Sequence, residues 1–146
     1  MEVKYAQVSL REGTKVENRS GDHTWITDEP ADKGGTDLGP TPKELLLGAL
    51  GSCIAVTLRI YCDRKGYNLK GVDVDLSWDG GKVEVDGKMV NRTIIAPKVT
   101  IHGDFDDEVR ETLTKVATRC PVHVALGQGV HFGGETIEFE PASTTA

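Results

Sequence analysis

The sequence predicts a single α+β domain, and three observations carry that prediction. Short runs of alternating apolar and polar residues fill the chain before residue 28. One long apolar segment with helix-start and helix-stop signals follows, from Thr41 to Gly66. Alternation then resumes at Val72, and an amphipathic helix follows Gly103. The 146 residues suffice for one domain with a core of its own. Only 38% are apolar while 27% are charged, so the core is lean, and a partner subunit is expected to supply part of the burial. Seventeen Lys and Arg stand against 23 Asp and Glu, a formal net charge of −6. That balance argues against nucleic acid as the main partner, because phosphate binding needs a basic surface.

Val3 to Leu10 alternates as a first strand. Glu12-Gly13 signals a turn, Thr14 to Asn18 returns as a hairpin strand, and Gly21 to Thr27 reads as a third. A loop rich in Gly, Pro and Asp runs from Asp28 to Pro40, long enough to suggest a functional role. Thr41 then suits an N-cap, Pro42 the first helical position where a missing N–H costs nothing, and Glu44 completes a capping box. Gly66 suits the stop. The centre of this helix is apolar nearly all round, so burial on most faces is expected.

Strands are expected at Val72–Leu76, Lys82–Val85 and Arg92–His102, with Gly80-Gly81 as a turn between the first two. A second helix starts at an Asp104 or Asp106 cap. Its Val109, Leu113 and Val116, with Cys120 beyond, share one face. Pro121 disfavours helical geometry at Cys120, because its ring crowds the preceding residue. A short helix, Pro121 to Leu126, should stop at Gly127, and Val130 to Glu140 should close the chain as a strand. The expected order is β-β-β-α-β-β-β-α-β. Ser143 to Ala146 is the one low-complexity tract.

The N-terminus lacks the charged-then-apolar pattern of a secretory signal. The longest apolar stretch, Leu45 to Ile60, is interrupted by Gly48, Gly51, Ser52, Thr57 and Arg59, short of the roughly 18 residues of a membrane span. A cytoplasmic protein without a membrane partner is expected. Cys53, Cys62 and Cys120 are an odd number without a CxxC, which does not suggest a structural disulfide framework.

Cys62 lies nine residues beyond Cys53, about 900° round a helix, so the two point to opposite sides. Cys120, at the start of the short helix, occupies a position that favours the thiolate. Cys53 and Cys120 are therefore the pair suited to two-cysteine peroxide reduction, in which a thiolate becomes a sulfenic acid and a second thiol condenses with it. Inert buried cysteines that pack as small hydrophobes fit the same spacing. The histidines form no HEXXH, and Cys120 with His123 lacks a second ligand pair for zinc. The Gly-Gly pairs form no nucleotide fingerprint, and neither a metal nor a cofactor is expected.

The stretch GPTPKELLLGALGSC, Gly39 to Cys53, and the segment RCPVHVAL, Arg119 to Leu126, resemble the two cysteine motifs of the OsmC/Ohr family of organic hydroperoxide reductases. Both motifs, in order and with the layout between them, cover nearly the whole chain. The resemblance implies an intertwined homodimer, with antiparallel sheets around long central helices and active sites at the subunit interface. It implies a thiol-dependent peroxidase acting on organic hydroperoxides, with hydrogen peroxide as a further substrate. Cys53 would attack, Cys120 would resolve, and an external thiol would reduce the disulfide. The family also holds its thiolate with an Arg–Glu pair, which implies Arg19, ahead of Arg11, and Glu44. The family glutamate falls ten residues before Cys53, where this chain has Lys43. Ten helical residues rise about 15 Å, so neither Lys43 nor Glu44 reaches Cys53 of its own helix. Glu44 also has its capping role. A non-catalytic dimer that binds a small apolar molecule in its interface cleft is the rival reading.

Overall fold

The computed structural model describes residues 3–142; the tract from Ser143 to Ala146 lies outside them. Three short antiparallel strands open the chain: β1 (Gln7–Leu10), β2 (Val16–Ser20) and β3 (His23–Thr27), in the order β1-β2-β3. The long helix α1 (Pro42–Lys65) follows. Two 15-residue strands, β4 (Gly71–Val85) and β5 (Lys88–His102), then form an antiparallel ribbon, and α2 (Asp107–Ala117) and α3 (Pro121–Gln128) come last. The α+β class and the first four elements agree with the sequence reading.

Local chemistry sets the ends of α1. The Thr41 hydroxyl accepts the Glu44 N–H at 3.3 Å and donates to the Glu44 carboxylate at 3.0 Å, so an unpaired backbone donor is satisfied. Gly66 closes the helix at φ 73°, a left-handed geometry that an L side chain rarely adopts. Leu50, Ile54, Leu58 and Cys62, at steps of four, form the buried stripe, packed against β4, α2 and α3. Gly51 allows that approach, since a Cβ there would sit 2.9 Å from Leu76 of β4. On the ribbon, Val72, Val74, Leu76 and Trp78 face inward while Asp73, Asp75, Ser77 and Asp79 face solvent. Val74 lies opposite Val99 and Trp78 opposite Ile95, so both strands cover the core with one face.

Several expectations are corrected. Burial of α1 on most faces does not hold within one chain: Val56 and Ile60 are exposed on the flank away from the stripe. The small residues that break the apolar run do not break its hydropathy, and α1 is long and apolar enough, by length and composition, to cross a membrane. The strands expected at Val72–Leu76 and Lys82–Val85 are one strand. Gly80-Gly81 is not a turn; Gly81 makes room for Ile94, which a Cβ would meet at 2.4 Å. The reversal falls at Asp86-Gly87, with φ 50° and 76°, the two-residue loop that matches strand twist. Gly127 lies inside α3, which ends before Gly129. The strand expected from Val130 to Glu140 does not form. Among the described residues it has no neighbouring strand to take its N–H and C=O groups, and Phe132, Ile137 and Phe139 are exposed.

The connection from residue 28 to 40, expected as an open loop, contains one 3₁₀ turn (Ala31–Lys33) and is organised around buried Asp28. Its carboxylate accepts Thr14 Oγ1 at 2.7 Å, the Glu29 N–H at 2.8 Å, the Leu38 N–H at 3.2 Å, and the Thr36 hydroxyl. The Asp28 N–H donates to the Pro40 carbonyl at 3.1 Å. The hydroxyls of Thr36 and then Thr14 hold the Asp28 carboxyl well below the usual carboxylate range, against the effect of burial. A carboxyl held low when folded stabilises the protein above its unfolded value, and that contribution is lost as pH falls. The Asp28→Asn variant should therefore be less stable than the parent near pH 7, and the gap should close progressively below about pH 4. Denaturant titrations across that range check this; a gap independent of pH would refute it.

Candidate active site

Cys53 lies one turn beyond Leu50 on α1, half-buried, against the core cluster that contains Cys120. Cys120 follows α2 and precedes Pro121. Its backbone is extended, with φ −64° and ψ 145°, because the following proline disfavours the helical alternative. Cys120 is thereby the N-cap of α3, and its Sγ accepts the His123 N–H at 3.2 Å. The side chain is fully buried, and the Cys53 thiol is near enough to raise its pKa. The two cysteines separated in sequence by the whole β4–β5 ribbon and α2 are thus brought together where α1 meets α3.

Cys62 sits in the buried stripe of α1, with no exposed surface. Burial pushes its thiol up, against the nearby Arg59 charge. It does not join the pair, as its half-turn offset from Cys53 predicts.

The expectation that the start of α3 lowers the Cys120 thiol is corrected. Burial pushes it up, and the neighbouring Cys53 thiol pushes the same way, while the N–H groups of His123 and Val122 act against them. Desolvation of the charged form outweighs the helix terminus here. Cys120 is therefore held as a thiol and not as a thiolate.

A cavity of about 230 Å³ lies between α1, β5 and α3, and neither cysteine is among the residues that line it. Leu50, Ile95, Pro97 and Leu126 give it apolar walls, and Thr93 and His123 are its polar side chains. A larger hollow, about 530 Å³, lies on the β1–β3 sheet between residues including Arg19 and Trp25. Neither hollow is lined by a thiol; the smaller one includes Leu50, one turn before Cys53, and His123, three residues after Cys120. The Trp25 Nε1–H, beside this larger hollow, is buried without a hydrogen-bond partner among the described residues.

The other candidate residues are held elsewhere within the chain. Arg19 is exposed on β2, and its Nε donates to the Gly21 carbonyl at 2.9 Å. The Glu44 carboxylate is engaged by Thr41. Neither has a hydrogen bond or ion pair to Cys53 among the described residues. Lys43 stands with its Nζ 5.2 Å from the centroid of the Trp78 ring, a cation–π contact that links α1 to β4. Their separation in sequence concealed this pairing, and no local signal carried it. Arg59, expected inside a buried helix, is part-exposed and donates to the Leu69 carbonyl at 3.1 Å and to Asp63.

The described residues contain no cluster of three or more His, Cys, Asp or Glu side chains that would hold a metal ion. The chemistry available is that of two neighbouring thiols where α1 meets α3.

The family described as OsmC-like protein matches residues 34–133, a span that includes both cysteines of the pair. No curated protein matches the sequence. Solved structures do. An OsmC-like protein from Mycoplasma pneumoniae is 23% identical, with a TM-score of 0.70 over 88% of this chain and 89% of that one. An organic hydroperoxide resistance protein OsmC from Legionella pneumophila is 18% identical, with a TM-score of 0.57 over 86% and 90%. An organic hydroperoxide resistance protein from Elizabethkingia anophelis is 17% identical, with a TM-score of 0.60 over 86% and 88%. At these identities the likeness establishes the fold.

The order of thiol exposure has a direct consequence. Iodoacetamide added to the reduced native protein should modify Cys53 first, and Cys62 and Cys120 only after denaturant is added, because alkylation needs an accessible thiolate. Peptide mass mapping over time reads the order; modification of Cys120 ahead of Cys53 would contradict it.

Proposed function

The chain belongs to the OsmC-like family, and from that premise we propose that it is a thiol-dependent peroxidase that reduces organic hydroperoxides and, as a further substrate, hydrogen peroxide. The meeting of Cys53 with Cys120 in the core where α1 meets α3 is the observation that carries this reading. The Cys53 thiolate attacks the outer peroxide oxygen, the O–O bond breaks, and Cys53 becomes a sulfenic acid while the alkoxide leaves as alcohol. The Cys120 thiol then condenses with the sulfenic acid, releasing water and forming the disulfide. Two equivalents of an external thiol restore the pair by exchange. The two roles follow from the environments. Cys53 is the more open of the two and can meet a substrate, and Cys120 is buried, protonated and within reach of Cys53.

The working form in this proposal is a cytoplasmic homodimer. No hydrophobic residue of β1–β3 belongs to the core cluster or packs against it, among the described residues, while α1 leaves Val56 and Ile60 uncovered. A second copy covers this flank and brings its own three-stranded sheet over α1. Arg19 of that copy then supplies the positive charge that favours the Cys53 thiolate, and Glu44 acts there beside its capping role. Exposed apolar surface of this kind is costly in a free monomer. Sedimentation at micromolar concentration should therefore give twice the monomer mass; a natively folded monomer would refute the dimer.

Cysteine variants test the chemistry. Cys53→Ser should consume no cumene hydroperoxide. Cys120→Ser should consume about one equivalent and stall with a trappable sulfenic acid at Cys53. Cys62→Ala, away from the pair, should keep most of the turnover. Turnover by Cys53→Ser, or no loss of thiols when the parent meets one equivalent of peroxide, would favour the non-catalytic, ligand-binding reading.

A further inference from the structure

Residues 130–140 alternate as a strand does, yet among the described residues no strand lies beside them. Phe132, Ile137 and Phe139 of this arm are 79%, 77% and 93% exposed. An extended segment in that state leaves both its backbone groups and its large apolar side chains to water, and addition to the open edge of a sheet relieves both. The chain leaves α3 beside its own β5, since Leu126 and Gly127 line the small cavity together with Thr93 and Pro97. Even so, the arm stays uncovered within one chain, so its cover comes from outside that chain.

Four strands have an open edge among the described residues: β1 and β3 in the first sheet, β4 and β5 in the ribbon. Length removes two of them. β1 and β3 run for four and five residues, too short for the arm, while β4 and β5 run for 15 each. Charge removes a third. The arm carries Glu135, Glu138 and Glu140 with no Lys or Arg. β4 carries Asp73, Asp75, Asp79 and Glu84 against Lys82, and like charges on neighbouring strands are destabilising. β5 carries Lys88, Arg92 and Lys98 and no acidic residue. Pro97 has no N–H to give to an added strand, so the usable edge of β5 covers residues 88–96.

We propose that the arm of each copy adds as an antiparallel strand to the edge of β5 in the other copy. Past Gly134 the alternation is strict and puts Glu135, Ile137 and Phe139 on one face. On β5, Arg92, Val90 and Lys88 share a face in the same way. Pairing Glu135 with Arg92, Ile137 with Val90 and Phe139 with Lys88 sets an acid opposite a base. It also sets Ile137 beside Val90, which is half-buried and lies opposite Val83 within the ribbon. The exchange is reciprocal, so it closes at two copies. It turns a two-stranded ribbon, marginal by itself, into a three-stranded sheet. This inference rests on the homodimer reading and adds to it a strand exchanged between the copies.

Hydrogen exchange on the parent protein is read first, at a concentration where sedimentation shows the dimer. Amides of residues 135–140 should exchange about 100-fold more slowly than in a free peptide of the same sequence, and this protection should fall as the dimer is diluted apart. Val90→Cys and Ile137→Cys are then combined in one chain whose Cys53, Cys62 and Cys120 are replaced by alanine, with the dimer verified by sedimentation before oxidation. Mild oxidation should give a covalent dimer, and peptide mapping should place the bond between positions 90 and 137. Thr136→Cys in place of Ile137→Cys, on the opposite face, should give none. Free-peptide exchange in a proven dimer, protection that does not depend on concentration, a bond closed within one chain, or no bond in a dimeric variant would overturn the exchanged strand and leave the dimer standing. If the variant does not assemble, exchange on the parent decides alone. A parent protein that sediments as a native monomer would remove the dimer reading, and the exchanged strand with it.

Discussion

Pro121 has no backbone N–H to donate, and its ring crowds the residue before it. The candidate site depends on that constraint. Helical geometry is disfavoured at Cys120, so the chain turns there and α3 starts afresh after the break. The turn releases Cys120 from the ladder of α2 and leaves its sulfur to satisfy the first free N–H groups of α3. The same turn sets α3 against α1, which brings the Cys120 thiol to Cys53 and puts His123 and Leu126 on the cavity wall. A helix running unbroken through position 120 would place these residues along one axis and leave no space between α1 and α3.

The second organising element is α1, whose two flanks have different surroundings. Its buried stripe is close-packed, down to a glycine at position 51 that lets Leu76 approach. Its other flank is apolar and uncovered within the chain. Cys53 lies near the boundary between them, half-buried, with one side supported by core and the other open. Under the proposed peroxidase reading, that position suits a thiol that must be held firmly and still meet a substrate.

Features set by neighbours in sequence were legible before the structure. Thr41, Pro42, Glu44 and Gly66 fix both ends of α1 by local hydrogen bonds and backbone preference, and Asp106 does the same for α2. The nearness of Cys53 to Cys120 was legible because helical spacing removed Cys62 and Pro121 marked a break. Features set by distant contacts were not legible. Gly80-Gly81 looks like a turn, but its tight contact with Ile94 lies across the ribbon, and Asp86-Gly87 is where the chain reverses. Residues 130–140 alternate as a strand should, yet a strand also needs a neighbour, and alternation says nothing of one. The protonation of Cys120 was misread because the desolvation that comes with its apolar face outweighs the helix terminus, and spacing alone does not say which wins. Asp28 gave no signal as a hub, since its partners Thr14, Thr36 and Leu38 are gathered from both sides.

The Asp28 hub has a mechanical meaning for assembly. A polar connection of this length would ordinarily behave as a flexible tether, and the sheet on its far end would sweep through many orientations. Four hydrogen bonds to one buried carboxylate turn it into a strut. The β1–β3 sheet is then held out at a set angle from α1, and the ordering entropy that a tether would lose on docking is already lost within the fold. In the proposed dimer the arm would meet a second chain as a preformed lever, and changes in the strut would alter the rate and geometry of capture more than the contacts made afterwards.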